Sequence, residues 1–231
     1  MVPQNVATVP TYDKLTNPYQ ITHASLMIAA YVIFTRIAIY SARFNQNKVF
    51  ADEQTWLKIH VVSNILSILC VIPGVVIAFN NAGWVFLGRV TFGVYAEQFQ
   101  SFKDSILKQH SLFGIISVSL LALNFLLGLI RPKKETSILK RPFWLFHFLI
   151  GFISTILADY VTILGLLLFR NEKWSWLPIF YCCFLVLDFV IVLCVRCVFK
   201  EFMQVRSKVT FIVYCVLVIV VALFLIVGMV L

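Results

Sequence analysis

The sequence predicts an all-α fold, a polytopic membrane helical bundle with six transmembrane helices, and three observations carry that prediction. The 231-residue chain is 61% hydrophobic and 13% charged, with a mean hydropathy of +0.94, which is more apolar surface than one soluble core can hide. Its apolar residues fall into six runs of about 20 residues, the length a helix needs to cross about 30 Å of hydrocarbon. The runs are continuous, where barrel strands would alternate over about ten residues.

Residues 1–20 form a polar stretch with Pro3, Pro10 and Pro18. They lack the basic-then-apolar pattern of a cleavable signal and read as an irregular non-cytoplasmic tail. The spans that follow are Ile21–Phe44 and Trp56–Phe79. The longest connection, Asn80–Gln109, mixes Trp84, Phe86, Phe92, Tyr95, Phe99 and Phe102 with polar residues, which suits a segment at the membrane surface. His110–Ile130 is the third span and Phe143–Phe169 the fourth, with a short basic loop bracketed by Arg131-Pro132 and Arg141-Pro142. Trp174–Val198 and Val209–Val230 complete the set, with Trp144, Trp174 and Trp176 as interfacial anchors. The expected organisation is a tail over 1–20, a four-helix core over 21–170 and two additional transmembrane helices over 171–231.

The net charge of +9 would suggest nucleic acid in a soluble chain. Here the basic residues flank spans, so no nucleic-acid partner is expected and the charges read as topology signals. Six spans place both termini on one face. Thirteen of the nineteen Lys and Arg residues lie on the opposite face, which is therefore expected to be cytoplasmic, leaving both termini non-cytoplasmic in a plasma membrane or endomembrane. All six cysteines fall within apolar runs, so no disulfide framework is expected, and Cys194-x-x-Cys197 reads as packing.

The four histidines, His23, His60, His110 and His147, stand one to a span near the N-terminal ends of the first four spans. Consecutive spans are antiparallel, so His23 and His110 share one level and His60 and His147 the other. Two imidazoles facing across a bundle are what a haem iron requires, and two such pairs imply two haems stacked across the bilayer, with irons very roughly 20 Å apart. Such a stack passes one electron at a time from face to face. Zinc or copper fits less well, because a pair supplies too few ligands for a closed zinc site. Gly114 and Gly151 lie four residues beyond His110 and His147 and so share their helix faces. They are candidates for pressing a macrocycle against the backbone, or for helix packing.

Several short pieces follow one another over about His23–Phe169: H-A-S-L-M-I-A-A-Y from His23, A-R-F ending at Phe44, W-L-K-I-H ending at His60 and H-S-L-F-G-I from His110. L-G-L-I-R-P ending at Pro132 and K-R-P-F-W-L-F-H ending at His147, followed by I-G, extend the series. Their order resembles the cytochrome b561 domain, in the form associated with ferric-chelate-reductase-like, DOMON-containing proteins. The resemblance implies a four-helix haem-binding core with two haem b groups per chain. Cytosolic ascorbate would reduce the inner one, and the outer one would pass the electron to monodehydroascorbate or a ferric chelate. The chain departs from the pattern in beginning with a ligand helix, ending with two extra spans and lacking a DOMON domain. It also carries Asn124 where related domains often have glutamine.

Lys58, Lys140 and Arg141, just before the cytoplasmic ligands, are candidates for ascorbate binding, with positive-inside charge as the alternative. Arg36, thirteen residues past His23, is a candidate partner for a haem propionate, with snorkelling to the interface as the alternative. Asp159 and Asp188 lie deep in spans and should face polar neighbours in the bundle. No side chain is assigned covalent chemistry, which the cofactor would supply. The leading expectation is a transmembrane oxidoreductase, with the bilayer and a second copy of the chain among its partners. The competing ones are a haem-bearing subunit that assembles with another protein and a haem-free membrane protein sharing only the fold.

Overall fold

In the computed structural model the described residues are 18–45, 54–81, 97–130, 140–168, 176–197 and 206–230. They form α1 (Pro18–Ile28), a π-helical segment (Ala29–Thr35), α2 (Arg36–Asn45), α3 (Thr55–Asn81), α4 (Glu97–Leu129), α5 (Lys140–Leu168), α6 (Leu177–Cys197) and α7 (Arg206–Val230). Residues 1–17 of the expected leader, half of the loop before His110 (82–96) and Trp174 fall outside those residues.

The first span is one rod made of α1, the π-helical segment and α2. It and four other helices are long and apolar enough to cross a membrane, and α6 is apolar over Leu177–Val192. The spans expected from composition thus appear, with one shift: α4 begins at Glu97, thirteen residues before the expected start at His110. Its apolar span starts at Ser105, so part of the connection expected at the membrane surface is the first turns of this helix. At the start of α5, Pro142 sits in the first turn, where a missing N–H costs nothing.

The surface is inside-out relative to a soluble protein. Leu69, Leu126, Val186 and Phe189 are more than half exposed, whereas Ser41, Ser67, Ser117 and Ser154 are buried. Lipid satisfies the apolar exterior, and helix–helix association falls to small residues and interhelical hydrogen bonds. The first span packs on α3, and α4 packs on α5, giving two antiparallel hairpins; α7 lies against the first span and α6 against α5. Gly74 faces α1, where a Cβ would stand 3.4 Å from Met27 Sδ.

The two hairpins repeat each other. In each, 37 positions separate the two histidines, and the second hairpin follows the first at an offset of 87. That offset carries Ala30 onto Ser117 and Ser67 onto Ser154. The same interhelical bond recurs there: Ser67 donates to the Ala30 carbonyl at 3.1 Å and Ser154 to the Ser117 carbonyl at 3.1 Å. From His23 to Ala38 the first span holds one residue more than His60 to Gly74 or His147 to Val161, and the π-helical segment absorbs it. Thr35 Oγ1 donates to the Ala30 carbonyl at 2.9 Å, satisfying an acceptor loosened by the wider turn.

Candidate functional site

Three of the four histidines are fixed by a backbone carbonyl of their own hairpin. His23 Nδ1–H donates to the Gly74 carbonyl at 2.8 Å, His60 Nδ1–H to the Ala38 carbonyl at 2.9 Å, and His110 Nδ1–H to the Val161 carbonyl at 3.0 Å. A carbonyl can only accept, so Nδ1 carries the proton in each and Nε2 keeps a lone pair for a metal. Gly74 lies fourteen residues beyond His60, and Val161 fourteen beyond His147. α3 and α5 therefore each carry a histidine near one end and, about 21 Å away, the acceptor for their hairpin partner's histidine. Ala38 lies fifteen beyond His23. In a pure α-helix that extra residue would turn the acceptor by about 100° relative to its counterparts; the π-helical segment between them takes up the excess.

The position fourteen residues beyond His110 is Asn124. Four residues past Ala38, Gly74, Asn124 and Val161 the chain is small: Ala42, Ala78, Gly128 and Gly165. A Cβ on Gly165 would stand 3.1 Å from His110 Cε1, and one on Gly128 would stand 3.7 Å from His147 Cε1. The approach is tight at Gly165 and an ordinary contact at Gly128.

The structure brings the histidines together as the sequence expects. The His23 and His110 ring centroids are 6.2 Å apart with an interplanar angle of 76°, and those of His60 and His147 are 6.2 Å apart at 65°. Two metal–imidazole bonds of about 2 Å plus two ring radii of about 1.1 Å give a centroid separation of about 6 Å, so the spacing of each pair matches that of two imidazoles sharing one metal. Among the described residues no three His, Cys, Asp or Glu side chains gather as a metal site. Pairs alone suit an iron that brings four equatorial ligands in a porphyrin, and the donor set fits haem. Trp56, Phe143 and Trp144 surround the His60–His147 pair.

Other expected site residues lie elsewhere. Arg36 does not stand free for a propionate. Its Nη2 bonds Asp159 at 2.5 Å, its Nη1 bonds Asp188, and the residue is 7% exposed. Tyr181 donates to Asp159 at 2.9 Å and Tyr214 to Asp188 at 2.7 Å. The cluster ties α2, α5, α6 and α7 together, which also answers how the two aspartates are tolerated in lipid. Gly151 faces Asn124, whose Nδ2 would be 2.7 Å from an added Cβ, and Gly114 faces Val161 at 3.7 Å. Gly151 thus lies close against the Asn124 side chain, whereas a Cβ at Gly114 would make an ordinary contact. Lys58 and Arg141 are exposed, and the Lys140 side chain is outside the described set. Of the cysteines, Cys70, Cys182, Cys183 and Cys215 are free thiols; the side chains of Cys194 and Cys197 are outside the described set.

Gly74, Val161, Ala38, Gly128, Gly165 and the π-helical segment were not anticipated from the sequence. The equal 37-residue spacing of the histidines was the signal that could have led to them.

The family model for eukaryotic cytochrome b561 matches residues 22–170. No curated protein and no solved structure matches the chain.

Proposed function

Because the chain belongs to the eukaryotic cytochrome b561 family, we propose that it carries single electrons across a bilayer through two haem b groups, from cytosolic ascorbate to monodehydroascorbate or a ferric chelate on the other side. The family is one of haem b membrane oxidoreductases, so transmembrane electron transfer is the part that membership itself supplies. The observation that supports the two-haem reading is the pair of imidazole pairs, each 6.2 Å between centroids and about 21 Å apart along the helices.

In this reading His23 and His110 hold the outer haem, and His60 and His147 the inner one. Bound there, haem b supplies a one-electron couple. The carbonyls of Gly74, Ala38 and Val161 hold the proton on Nδ1 and would leave Nε2 free to bind the iron, as a carbonyl behind a metal-bound imidazole does. Lys58 and Arg141, exposed near the inner pair, together with Lys140, draw an ascorbate anion to that face by charge. The basic bias of that face supports its assignment to the cytoplasm.

The test is purified protein in detergent: haem per chain by pyridine haemochrome, reduction of the α-band by ascorbate, then reoxidation by a ferric chelate. Two haems per chain, reduced and reoxidised in that order, are expected. A chain without haem would overturn the reading. Haem that ascorbate leaves oxidised would move the protein to the class of haem-bearing subunits that act with another protein.

A further inference from the structure

We propose that Gly165 is a positioning residue for the haem held by His23 and His110, acting through the hydrogen bond between His110 and the Val161 carbonyl. The inference rests on the ligand assignment above. In α5 the Val161 carbonyl points along the helix towards residue 165. The imidazole of His110 reaches that oxygen at 3.0 Å beside position 165, which carries no side chain. A Cβ there would stand 3.1 Å from Cε1 and 3.5 Å from Nδ1, on the ring edge that donates the bond. With Nε2 held by iron, the ring cannot retreat, so a methyl at 165 separates Nδ1–H from its acceptor.

The repeat shows that this closeness is particular to His110. Ala78 holds the corresponding place opposite His23, so the first hairpin accommodates a methyl there. A Cβ on Gly128, opposite His147, would meet that ring at 3.7 Å, an ordinary contact. The consequence is electronic as well as geometric. A Nδ1–H bonded to a carbonyl makes the imidazole a stronger donor, which favours the oxidised iron; weakening the bond raises the reduction potential of that haem and leaves the other in place.

The experiment is a redox titration of the full-length protein with low-temperature electron paramagnetic resonance. Gly165→Ala is expected to keep two haems, to shift one midpoint potential upward and to move the low-field g value of the same haem. Gly128→Ala should displace the other potential by less. A second approach removes the need for the methyl. His110→Gly is filled with imidazole, which can bond Val161, or with 1-methylimidazole, which cannot. The 1-methylimidazole form should show the higher potential, and in a His110→Gly/Gly165→Ala background the two ligands should give the same one. Both potentials unmoved in Gly165→Ala, or no difference between the two added ligands at His110→Gly, would overturn the proposal while leaving haem ligation standing. A wild-type protein without haem would instead remove the ligand assignment on which the proposal rests.

Discussion

Changing Arg36 to methionine separates the two partners that side chain could have, a haem propionate or the protein itself. Its guanidinium bridges Asp159 and Asp188 at 7% exposure. Removing one partner of a buried pair costs about 3–5 kcal/mol, because the remaining charge is left uncompensated. Here two carboxylates are stranded, so the upper half of that range applies. At about 2–4 °C per kcal/mol for a chain of this size, the melting temperature should fall by roughly 8–20 °C. The triple variant Arg36→Met/Asp159→Asn/Asp188→Asn removes the charges together and leaves an amide oxygen for Tyr181 and Tyr214. It should recover most of the loss, since replacing a whole buried ion cluster is close to neutral. The assay is tryptophan-fluorescence melting in detergent, with the haem spectrum followed in parallel. Wild-type melting in Arg36→Met would refute the bridging argument. Loss or a shifted potential of one haem at unchanged melting temperature would restore the propionate reading.

Leucine at His60 or His147 should remove one haem per chain and abolish ascorbate reduction, and leucine at His23 or His110 should remove the other; four variants with unaltered haem spectra would end the ligand assignment. Deleting Ile33 from the π-helical segment should leave a continuous α-helix with His23 and Ala38 fourteen apart, as in the other helices, and both haems bound. Deleting Leu69 from α3 should instead turn Gly74 by about 100° relative to His60 and lose a haem; equal behaviour of the two deletions in a haem assay would contradict the register argument. Lys58→Glu with Arg141→Glu should slow ascorbate reduction by about tenfold or more at low salt and by less at high salt, at unchanged haem content; an unchanged rate in stopped-flow would place ascorbate elsewhere.

The bundle and the histidine pairing were legible because both depend on one-dimensional patterns. Apolar runs of membrane length specify helices, and antiparallel alternation converts four positions along the chain into two depths. What the sequence hid was lateral. Nothing in a string of residues says that Arg36 turns away from the haem levels towards α5, α6 and α7, because that depends on which face of the first span meets which neighbour. The inserted residue in the π-helical segment rotates that face, and a plain 3.6-residue count runs through it unaware. Backbone acceptors were equally invisible: Val161 and Gly74 contribute carbonyls, which every residue has. Gly151 was ambiguous for a related reason. A glycine one turn from a ligand suits a macrocycle or a neighbouring side chain alike, and the placement of Asn124 against it is a tertiary fact.

The duplication explains why the pairs form across hairpins. A hairpin with a histidine near the start of each helix puts its two imidazoles at opposite depths, so they cannot meet, and one hairpin alone offers each level a single ligand. A second copy supplies the missing partner at both levels at once. Within this symmetry the first span is the exception. Ala30 keeps its register with Ser117, Ala38 takes that of Asn124, and the extra residue lies between them. Arg36 sits in that interval, and the first span is where α7 packs. An insertion anywhere else between His23 and Ala38 without a π-helical turn would have swung the His60 acceptor away. Confined there, it frees one stretch of helix to carry a charge that binds the C-terminal pair while the haem-facing register on either side is kept.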